Sequence, residues 1–263
     1  MDGPLPVALT IAGSDPSGGA GIQADLKTFH QFGVYGEAVV TLLTVQNTMR
    51  VSRVEAMPAW LVEEQIAAVI EDIPPAAAKT GALGSTEAVE TVARMAAGFA
   101  FPLVVDPVML STRGRELLPE SAVRAMREKL LPHAALAIPN VPEAEALTGI
   151  AIRGIEDMRR AACAIRSMGA RAVLIKGGHL ESDPLDVLFD GAEYRDFPAP
   201  RLATPHTHGT GCTYSAAITA SLAAGCALAE AVARAKRFIH EAIRGNPGLG
   251  HGSGPVNHHA EVS

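Results

Sequence analysis

The sequence predicts an α/β protein built on a mostly parallel sheet, and three observations support this fold class. Short apolar runs alternate with amphipathic stretches along the 263 residues, as in successive strand–helix–strand units. Hydrophobic residues make up 48% of the chain but aromatic residues only 4%, a balance that suits helices packed on a parallel sheet better than a β-sandwich. Pro and Gly fall between elements without clustering, so we expect a single domain over residues 1–263.

The first half of the chain contains short apolar runs that predict strands and amphipathic stretches that predict helices. The predicted strands are Val7–Ala12, Ala38–Val45, Ala76–Thr80 and Leu103–Val105. Apolar residues at helical spacing predict a helix over Ala20–Phe32. Pro58 is expected in the first turn of the next helix, and Ser85 is the expected N-cap of the one after it.

The second half continues the same alternation and ends in two Ala-rich helices. The predicted strands are Ala134–Ile138, Ala172–Ile175, Leu185–Phe189 and Tyr194–Phe197. The predicted helices are Pro142–Leu147, Ile155–Met168, Thr213–Ala224 and Leu228–Ile243. Asp190 and Gly191 form a turn signal that should join the last two strands, and Gly225 separates the last two helices.

Charge and cysteine content exclude several classes of function. The chain has 22 basic and 28 acidic residues, so its net charge of -6 gives no basic field for nucleic acid, and an anionic ligand needs a local trap. None of the three cysteines lies in a CxxC motif, which argues against a disulfide framework. The first apolar run lacks a preceding basic region and soon meets Asp15 and Pro16, so we expect neither a signal peptide nor a membrane span, and a cytoplasmic protein.

The strongest chemical signal is the run Gly209-Thr210-Gly211-Cys212 immediately before a predicted helix. Its glycines allow a tight turn whose backbone N–H groups can surround an anion, and the helix N-terminus adds partial positive charge. Cys212 at the helix start is expected to have a depressed pKa, which makes it a candidate base or activated thiol. The alternative is a Gly-rich loop with an inert cysteine, and the spacing does not match the Walker A motif.

Other strand ends also carry polar or glycine residues, and parallel strands bring such ends to one edge of the sheet. The turn from Gly13 to Gly21 follows the first strand, and Asp25 lies one turn into the next helix, where it could bind a substrate group or simply be solvated. Asp106 ends a buried strand, where a carboxylate is costly unless it is paired or bound to a metal, although Asp-Pro is also a common turn.

Two further strand ends are candidates for nucleotide and metal contacts. Asn140 can cap the following helix, and Glu143 in its first turn could hold Mg2+, which prefers few protein ligands and retains water. Lys176 with Gly177, Gly178 and His179 suits a phosphate neighbour, although a solvated lysine in a turn is common. No two histidines have the spacing of a helical zinc-ligand pair, which argues against a catalytic zinc.

These residues together make the chain resemble the hydroxymethylpyrimidine/phosphomethylpyrimidine kinases of thiamine biosynthesis, within the ribokinase-like superfamily. The resemblance extends over nearly the whole chain. The matching motifs are Leu9–Asp15, Ser17–Asp25, Gln46–Thr48, Lys79–Gly81, Asp106–Met109, Pro139–Glu145, Lys176–His179, Thr207–Cys212 and Gly250–Pro255.

The resemblance implies a three-layer α/β/α sandwich, a homodimer, and use of ATP and Mg2+ to phosphorylate 4-amino-5-hydroxymethyl-2-methylpyrimidine and then its monophosphate. It implies that the substrate is held by Gly13, Asp25, Gln46 and Asp106. It implies that ATP and its metal face Asn140, Glu143, Lys176, Gly177, Gly178, His179, Thr210 and Gly211, with Glu143 nearest the metal. Gly209, Gly211, Lys176 and Cys212 would form the catalytic centre, Cys212 standing where sugar kinases of the superfamily carry an aspartate base.

Two alternatives remain open from the sequence. Some relatives carry Glu at position 46, where this chain has Gln46, and an amide donates as well as accepts hydrogen bonds, which could broaden the choice of substrate. A pyridoxal or pyridoxine kinase is therefore the second enzymatic hypothesis, and a thiol at position 212 could add to the pyridoxal aldehyde. A nucleotide-binding regulator without turnover is the alternative from another class. The stretch Leu110–Leu117 is the expected lid over the substrate.

Overall fold

The computed structural model describes residues 5–110, 114, 117–178 and 184–262. The strands are β1 (Val7–Ser14), β2 (Tyr35–Gln46), β3 (Val51–Ala56), β4 (Ala77–Thr80), β5 (Leu103–Val105), β6 (Leu136–Ala137), β7 (Val173–Ile175), β8 (Leu185–Phe189) and β9 (Tyr194–Pro198). The α-helices are α1 (Gly21–Gln31), α2 (Ala59–Asp72), α3 (Thr86–Ala96), α4 (Glu120–Ala125), α5 (Val141–Thr148), α6 (Ile155–Ser167), α7 (Thr210–Ala223) and α8 (Leu228–Arg244). A π-helical turn (Met126–Leu130) and a 3-10 turn (Leu131–His133) continue α4.

The strands form one sheet in the order β3-β2-β1-β4-β5-β6-β7-β8-β9. Strands β2, β1, β4, β5, β6 and β7 are parallel, whereas β3 at one edge and β8 and β9 at the other are antiparallel to their neighbours. The chain leaves β1 for β2 on one side and returns to β4 on the other. Open α/β sheets bind ligands beyond the carboxyl ends of the strands at such a reversal, so the topology directs attention to the turns after β1, β5, β6 and β7.

Helices cover both faces of the sheet, which gives the three-layer α/β/α sandwich. Side chains alternate between the faces along each strand: in β5, Leu103 and Val105 pack in the core under α2 to α6, and Val104 packs in the core under α7 and α8. Helix α1 joins the second layer, where Phe29 packs with Ala216 and Ala220 of α7. The predicted fold class is confirmed, and among the described residues no helix is both long and apolar enough to cross a bilayer.

The structure departs from the predicted elements in two informative places. Strand β3 was not predicted, because Arg53 and Glu55 are exposed on an edge strand that has no continuous apolar run. Helix α7 begins at Thr210 rather than Thr213, so Gly211 and Cys212 belong to its first turn. The predicted hairpin after Asp190 is present as the antiparallel pair β8–β9. Of the predicted lid, Ser111–Arg113, Arg115 and Glu116 lie outside the described residues.

The carboxylate of Glu37 is buried in the sheet, and no ion pair to it is found among the described residues. Glu37 on β2 is 8% exposed, and within the described part of the chain its Oε2 has no hydrogen-bond partner. Burial raises the pKa of Glu37 to about 7, and the nearby carboxylate of Asp72 at the end of α2 adds to the shift. The protonated form is therefore favoured in the folded protein, and folding becomes less favourable as pH rises from the unfolded pKa near 4.5 through 7.

Glu37→Gln should stabilise the protein above pH 7, because the amide is neutral at every pH. The expected gain in the free energy of unfolding is on the order of 2 kcal/mol at pH 8 and close to zero at pH 4. Urea unfolding at the two pH values measures this gain, and Glu55→Gln on the exposed side of β3 is the matched control. Equal effects of Glu37→Gln at both pH values would show that Glu37 is not the titrating group.

Candidate active site

A cavity of about 1150 Å³ lies at the carboxyl ends of the parallel strands, between the N-termini of α5 and α7. Because the strands are parallel, the turns that follow β1, β5, β6 and β7 open into this one space. The structure brings most of the sequence-predicted site residues together there: Gly13, Gln46, Asp106, Asn140, Glu143, Lys176, Gly178, Gly209, Thr210, Gly211 and Cys212 line the cavity. Asp25 and Gly177 are not among its lining residues, and His179 lies outside the described residues.

The first turn of α7 forms an anion-binding surface, which we call the anion turn (Gly209–Cys212). Gly209 is the N-cap residue with φ of +81°, and a side chain at this position would collide with the carbonyl oxygen of Gly19. Only glycine fits both constraints. Helix geometry leaves the N–H groups at the start of α7 without acceptors inside the helix, and the helix dipole adds partial positive charge. This end of the cavity therefore attracts an anion.

An ion pair between Lys176 and Asp106 faces the anion turn. Nζ of Lys176 donates to Oδ1 of Asp106 at 2.9 Å, and the Ser215 hydroxyl donates to Oδ2 at 3.0 Å. A methyl group added at Gly211 would lie 3.7 Å from Nζ of Lys176. Burial opposes the ammonium form, but the carboxylates of Asp106 and Glu143 outweigh it and raise the pKa of Lys176. Lys176 is therefore a permanent cation beside the helix N-terminus.

Asn140 and Glu143 form a capping box at the start of α5. Oδ1 of Asn140 accepts the N–H of Glu143 at 2.9 Å, and Oε2 of Glu143 accepts the N–H of Asn140 at 2.8 Å. The predicted capping role of Asn140 is thus confirmed. Burial raises the pKa of Glu143 to about 7 although Lys176 opposes the shift, and Asp106 adds to it. Asp106 and Glu143 thus place two carboxylates in one cavity, and the raised pKa shows that the Glu143 anion is poorly stabilised. A divalent cation would stabilise that anion, so the pair suits such an ion.

The glycine pair after Lys176 is held against β8. The N–H of Gly177 donates to Oδ1 of Asp186 at 3.0 Å, and Nζ of Lys236 donates to the other oxygen of this carboxylate at 2.6 Å. A side chain at Gly177 would collide with the carbonyl oxygen of Leu185. Gly177 is therefore pressed onto the strand behind the cavity, and Gly178 is the glycine of the pair that lines it.

The expected low pKa of Cys212 is wrong. Cys212 lies in the first turn of α7, as predicted, and the ammonium of Lys79 is near enough to favour the thiolate. Burial outweighs that effect and raises the pKa of the Cys212 thiol to about 11, with further opposition from Asp25 and Asp106. The sequence indicated that Cys212 lies at a helix N-terminus, which lowers a thiol pKa. It did not indicate that the carboxylates of Asp25 and Asp106 lie close to the thiol. Cys212 is a thiol at neutral pH.

Asp25 forms a buried ion pair and is not among the residues that line the cavity. Its carboxylate accepts from Nζ of Lys79 at 2.8 Å and from the hydroxyl of Thr10 at 2.6 Å, and all three residues are fully buried. Asp25 is therefore also not the solvated acid that its place in α1 suggested. The pairing was not predicted, because Asp25 and Lys79 are far apart in the sequence and meet only where α1 packs on one face of the sheet.

Sequence reasoning missed the pair formed by Asp15 and His208. Nε2 of His208 lies 2.7 Å from Oδ2 of Asp15 and 3.2 Å from Nε2 of Gln46, and all three residues line the cavity. His208 lies in the loop before α7, yet it is only 5% exposed. Its position directly before Gly209 was the one available signal. The pair connects the turn after β1 to the anion turn.

The segment Leu249–Val256, which we call the C-terminal strap, holds both ends of this arrangement. The N–H of His208 donates to the carbonyl oxygen of Gly254 at 3.0 Å. The N–H of Val256 donates to the carbonyl oxygen of His208 at 3.3 Å. The N–H of Ser253 donates at 3.1 Å to the carbonyl oxygen of Thr48, in the turn between β2 and β3. The strap thereby fixes the β2–β3 hairpin relative to the anion turn.

Comparison with known proteins shows which family the chain resembles. Residues 15–257 match the family model for phosphomethylpyrimidine kinase. The hydroxymethylpyrimidine/phosphomethylpyrimidine kinase of Bacillus subtilis is 45% identical, covering 96% of this chain and 94% of the relative. The thiamine biosynthesis bifunctional protein of Geobacter sulfurreducens is 50% identical over 95% of this chain, which spans only 51% of that longer relative.

The fold of the chain also matches that of a solved structure. The pyridoxal kinase from Staphylococcus aureus in complex with AMP-PCP and pyridoxal is 38% identical, with a TM-score of 0.91 that covers 98% of this chain and 95% of the other. The family match extends over most of the chain and includes the anion turn, Asp106, Glu143 and Lys176. From the fold, the site and these comparisons together, the chain belongs to the phosphomethylpyrimidine kinase family.

Proposed function

We propose that this protein is an ATP-dependent kinase that phosphorylates 4-amino-5-hydroxymethyl-2-methylpyrimidine and then its monophosphate, in thiamine biosynthesis. The observation that carries the proposal is the convergence of Lys176 with the anion turn inside one cavity. A fixed cation and a helix N-terminus facing the same gap are what a transferring phosphoryl group requires. The names of the relatives supply the substrate.

The cavity has two chemically distinct ends that suit the two substrates. Gly13, Gln46 and Cys212 line the end beside β1 and β2, where a small ring with a hydroxymethyl group fits. Gly178 and residues of α8 line the other end, where the apolar side chains of Ile239 and Ile243, beside Lys236 and His240, suit the adenine of ATP. The anion turn lies between them. We therefore assign the pyrimidine to the first end and the nucleotide to the second.

In the transfer step the protein mainly positions groups and neutralises charge. The N–H groups of Gly211 and Cys212 donate to the oxygens of the transferred group, and Lys176 offsets the developing charge. Asp106 keeps the Lys176 ammonium aimed at the anion turn. We propose that Cys212 accepts the hydroxyl proton in its thiolate form, which arises when the thiol first releases its own proton to solvent.

The donor set suits a magnesium ion held by few protein groups. Among the described residues no group of three or more His, Cys, Asp or Glu side chains surrounds a common point. Glu143, with Asp106 nearby, offers carboxylate oxygen in the cavity, and Mg2+ is usually bound through one or two carboxylates, water and substrate phosphates. Bound there, it would neutralise charge on the ATP phosphates.

A pyridoxal kinase activity is the second candidate, and one comparison favours it. The Staphylococcus aureus neighbour is a pyridoxal kinase whose fold this chain shares over 98% of its length. Pyridoxal also carries a hydroxymethyl group on a six-membered nitrogen heterocycle, so the end of the cavity near Gln46 can accept either ring. The two activities are compatible in one site, and we prefer the pyrimidine as substrate because relatives that are 45%, 47% and 48% identical are named for it.

Location and assembly form part of the same proposal. We place the enzyme in the cytoplasm, where ATP is abundant, and we propose that it is a homodimer. The strongest support for an interface is on the β2–β3 hairpin, where Leu43, Val45 and Met49 are each about half exposed.

The proposal is tested by measuring ADP release with ATP and Mg2+, using the hydroxymethylpyrimidine and pyridoxal in parallel. We expect a clear preference for the pyrimidine, with product masses that show first the monophosphate and then the diphosphate. Turnover of pyridoxal alone would make the protein a vitamin B6 kinase. Nucleotide binding without ADP release from either substrate would instead favour a regulator without catalytic activity.

Gly211→Ala should abolish most activity without destabilising the protein. Position 211 is inside the first turn of α7, where alanine is favoured over glycine by about 1 kcal/mol. The added methyl group would lie 3.7 Å from Nζ of Lys176 and occupy the space proposed for the phosphoryl group. We expect kcat/KM to fall about 100-fold with an unchanged or higher melting temperature. An active variant would show that the phosphoryl group lies elsewhere.

Cys212→Ala should lower kcat about 100-fold and leave the KM for ATP nearly unchanged, if the thiol accepts the hydroxyl proton. Because the pKa of Cys212 is about 11, the thiolate fraction grows as pH rises towards that value, so wild-type kcat should increase between pH 7 and 9. The alanine variant should lose this pH dependence. Near-full turnover by Cys212→Ala would remove Cys212 from the catalytic role.

A further inference from the structure

One side of α8 faces the nucleotide end of the cavity. Its lining residues are Lys236, Ile239, His240 and Ile243. Spacings of three and four residues place all four on the same side of a helix, and we call them the α8 stripe. A helix rises about 1.5 Å per residue, so the stripe extends about 10 Å along the cavity from Ile243 to Lys236. A nucleotide whose base lies on the isoleucines can therefore extend its phosphates past Lys236.

Lys236, at the end of the stripe, is bound to β8. Its Nζ donates to Oδ2 of Asp186 at 2.6 Å, and the side chains of Lys236 and Asp186 are 12% and 3% exposed. The other oxygen of this carboxylate accepts the N–H of Gly177 at 3.0 Å. Strands β7 and β8 are antiparallel, and their register, continued by one residue, places Asp186 opposite Lys176. A single carboxylate thus connects α8 to the turn that carries Lys176.

The surroundings of this carboxylate leave it little freedom to move. Tyr214 of α7 lies beside Asp186, and burial together with the charge of Asp186 raises the pKa of the phenol well above its usual value, so Tyr214 stays neutral. Gly177 is pressed onto the carbonyl oxygen of Leu185, where a side chain would collide. Asp186 therefore holds the Lys176 turn and α8 at a fixed separation.

The place of this ion pair indicates a role beyond stability. A buried ion pair gives little net stability compared with apolar side chains of similar volume, because both charges lose their hydration. This pair lies in the wall of the cavity, since Asp186 and Lys236 both line it. It connects the two surfaces that the proposed function assigns to one nucleotide, which are the α8 stripe for the base and Lys176 with the anion turn for the phosphates.

We propose that Asp186 and Lys236 are positioning residues that set the separation between the base surface on α8 and the phosphate site at Lys176, and so make the enzyme specific for a phosphate donor that spans both. The proposal rests on the function proposed above, because it takes the nucleotide at this end of the cavity. A nucleoside triphosphate engages both surfaces at once and gains from their correct separation. A base without phosphates, or a phosphate chain without a base, engages one surface and gains nothing from it.

Binding of three probes to one charge-neutral variant tests the proposal. AMP-PCP engages both surfaces, adenosine the base surface alone, and inorganic tripolyphosphate the phosphate site alone. Asp186→Asn/Lys236→Met removes one negative and one positive charge, so the net charge of the site is unchanged. Calorimetry in the presence of Mg2+ should show that the variant binds AMP-PCP about tenfold more weakly than wild type does, and adenosine and tripolyphosphate each within about twofold. Glu90→Gln/Lys129→Met, in an exposed ion pair, is the matched control and should leave the affinity for all three probes unchanged.

An equal loss of affinity for AMP-PCP and for tripolyphosphate would overturn the proposal, because it would make Lys236 a direct phosphate contact. An equal loss for all three probes would show general damage to the fold instead of a changed separation, and would also overturn it. Unchanged AMP-PCP affinity in the variant would show that the ion pair does not position the nucleotide.

The single variants give an independent kinetic readout. Asp186→Asn and Lys236→Met should each raise the KM for ATP about tenfold and leave the pyrimidine KM within about twofold, and the double variant should be no worse than the more impaired single variant. Additive effects, or equal rises in both KM values, would contradict a shared role. The double variant keeps the test decisive if a single variant does not fold, because it leaves no buried charge unpaired.

The same experiments separate this inference from the function on which it rests. Absence of wild-type turnover with both the pyrimidine and pyridoxal would overturn the proposed function itself. Normal wild-type turnover, combined with an unchanged ATP KM in the variants, would overturn only the positioning role of Asp186 and Lys236.

Discussion

The buried ion pair between Asp25 and Lys79 is the interaction on which the geometry of the site depends. Thr10 and Lys79 are register partners on β1 and β4, so their side chains emerge side by side on the face that α1 covers. Asp25 of α1 accepts from both of them. A buried charge is tolerated only when its partners are present and well aligned, which allows α1 a single position on the sheet. That position in turn fixes the turn after β1.

The charges of this pair also act on Cys212 in the anion turn. The carboxylates of Asp25 and Asp106 oppose ionisation of Cys212, and the Lys79 ammonium favours it. The centre therefore holds its charges in near balance, with Lys176 and Lys79 matched by Asp106 and Asp25. Arrival of the triphosphate changes that balance, and Lys176, Lys236 and Arg201 are basic residues that line the cavity to meet it.

Much of the fold and part of the site follow from the sequence. The run Leu103–Val105 predicts a buried strand because both faces of a parallel sheet are covered, and the turn signal at Asp190 predicts the β8–β9 hairpin. Contacts between distant residues could not be predicted: Asp15 and His208 are 193 positions apart, and no local pattern connects them. The expectation of a low pKa for Cys212 was wrong for the same reason, since this pKa depends on burial and on carboxylates contributed by other elements.

The C-terminal strap has a consequence for the order in which the protein becomes functional. The backbone of His208, which directly precedes the anion turn, bonds on both sides to residues of the strap. Chains emerge from the ribosome N-terminus first, and the sheet can form before the strap is made. A nascent chain can therefore contain the residues that line the cavity and still lack the strap that holds the anion turn. The backbone bonds around His208 are therefore completed later in synthesis than those of the central sheet.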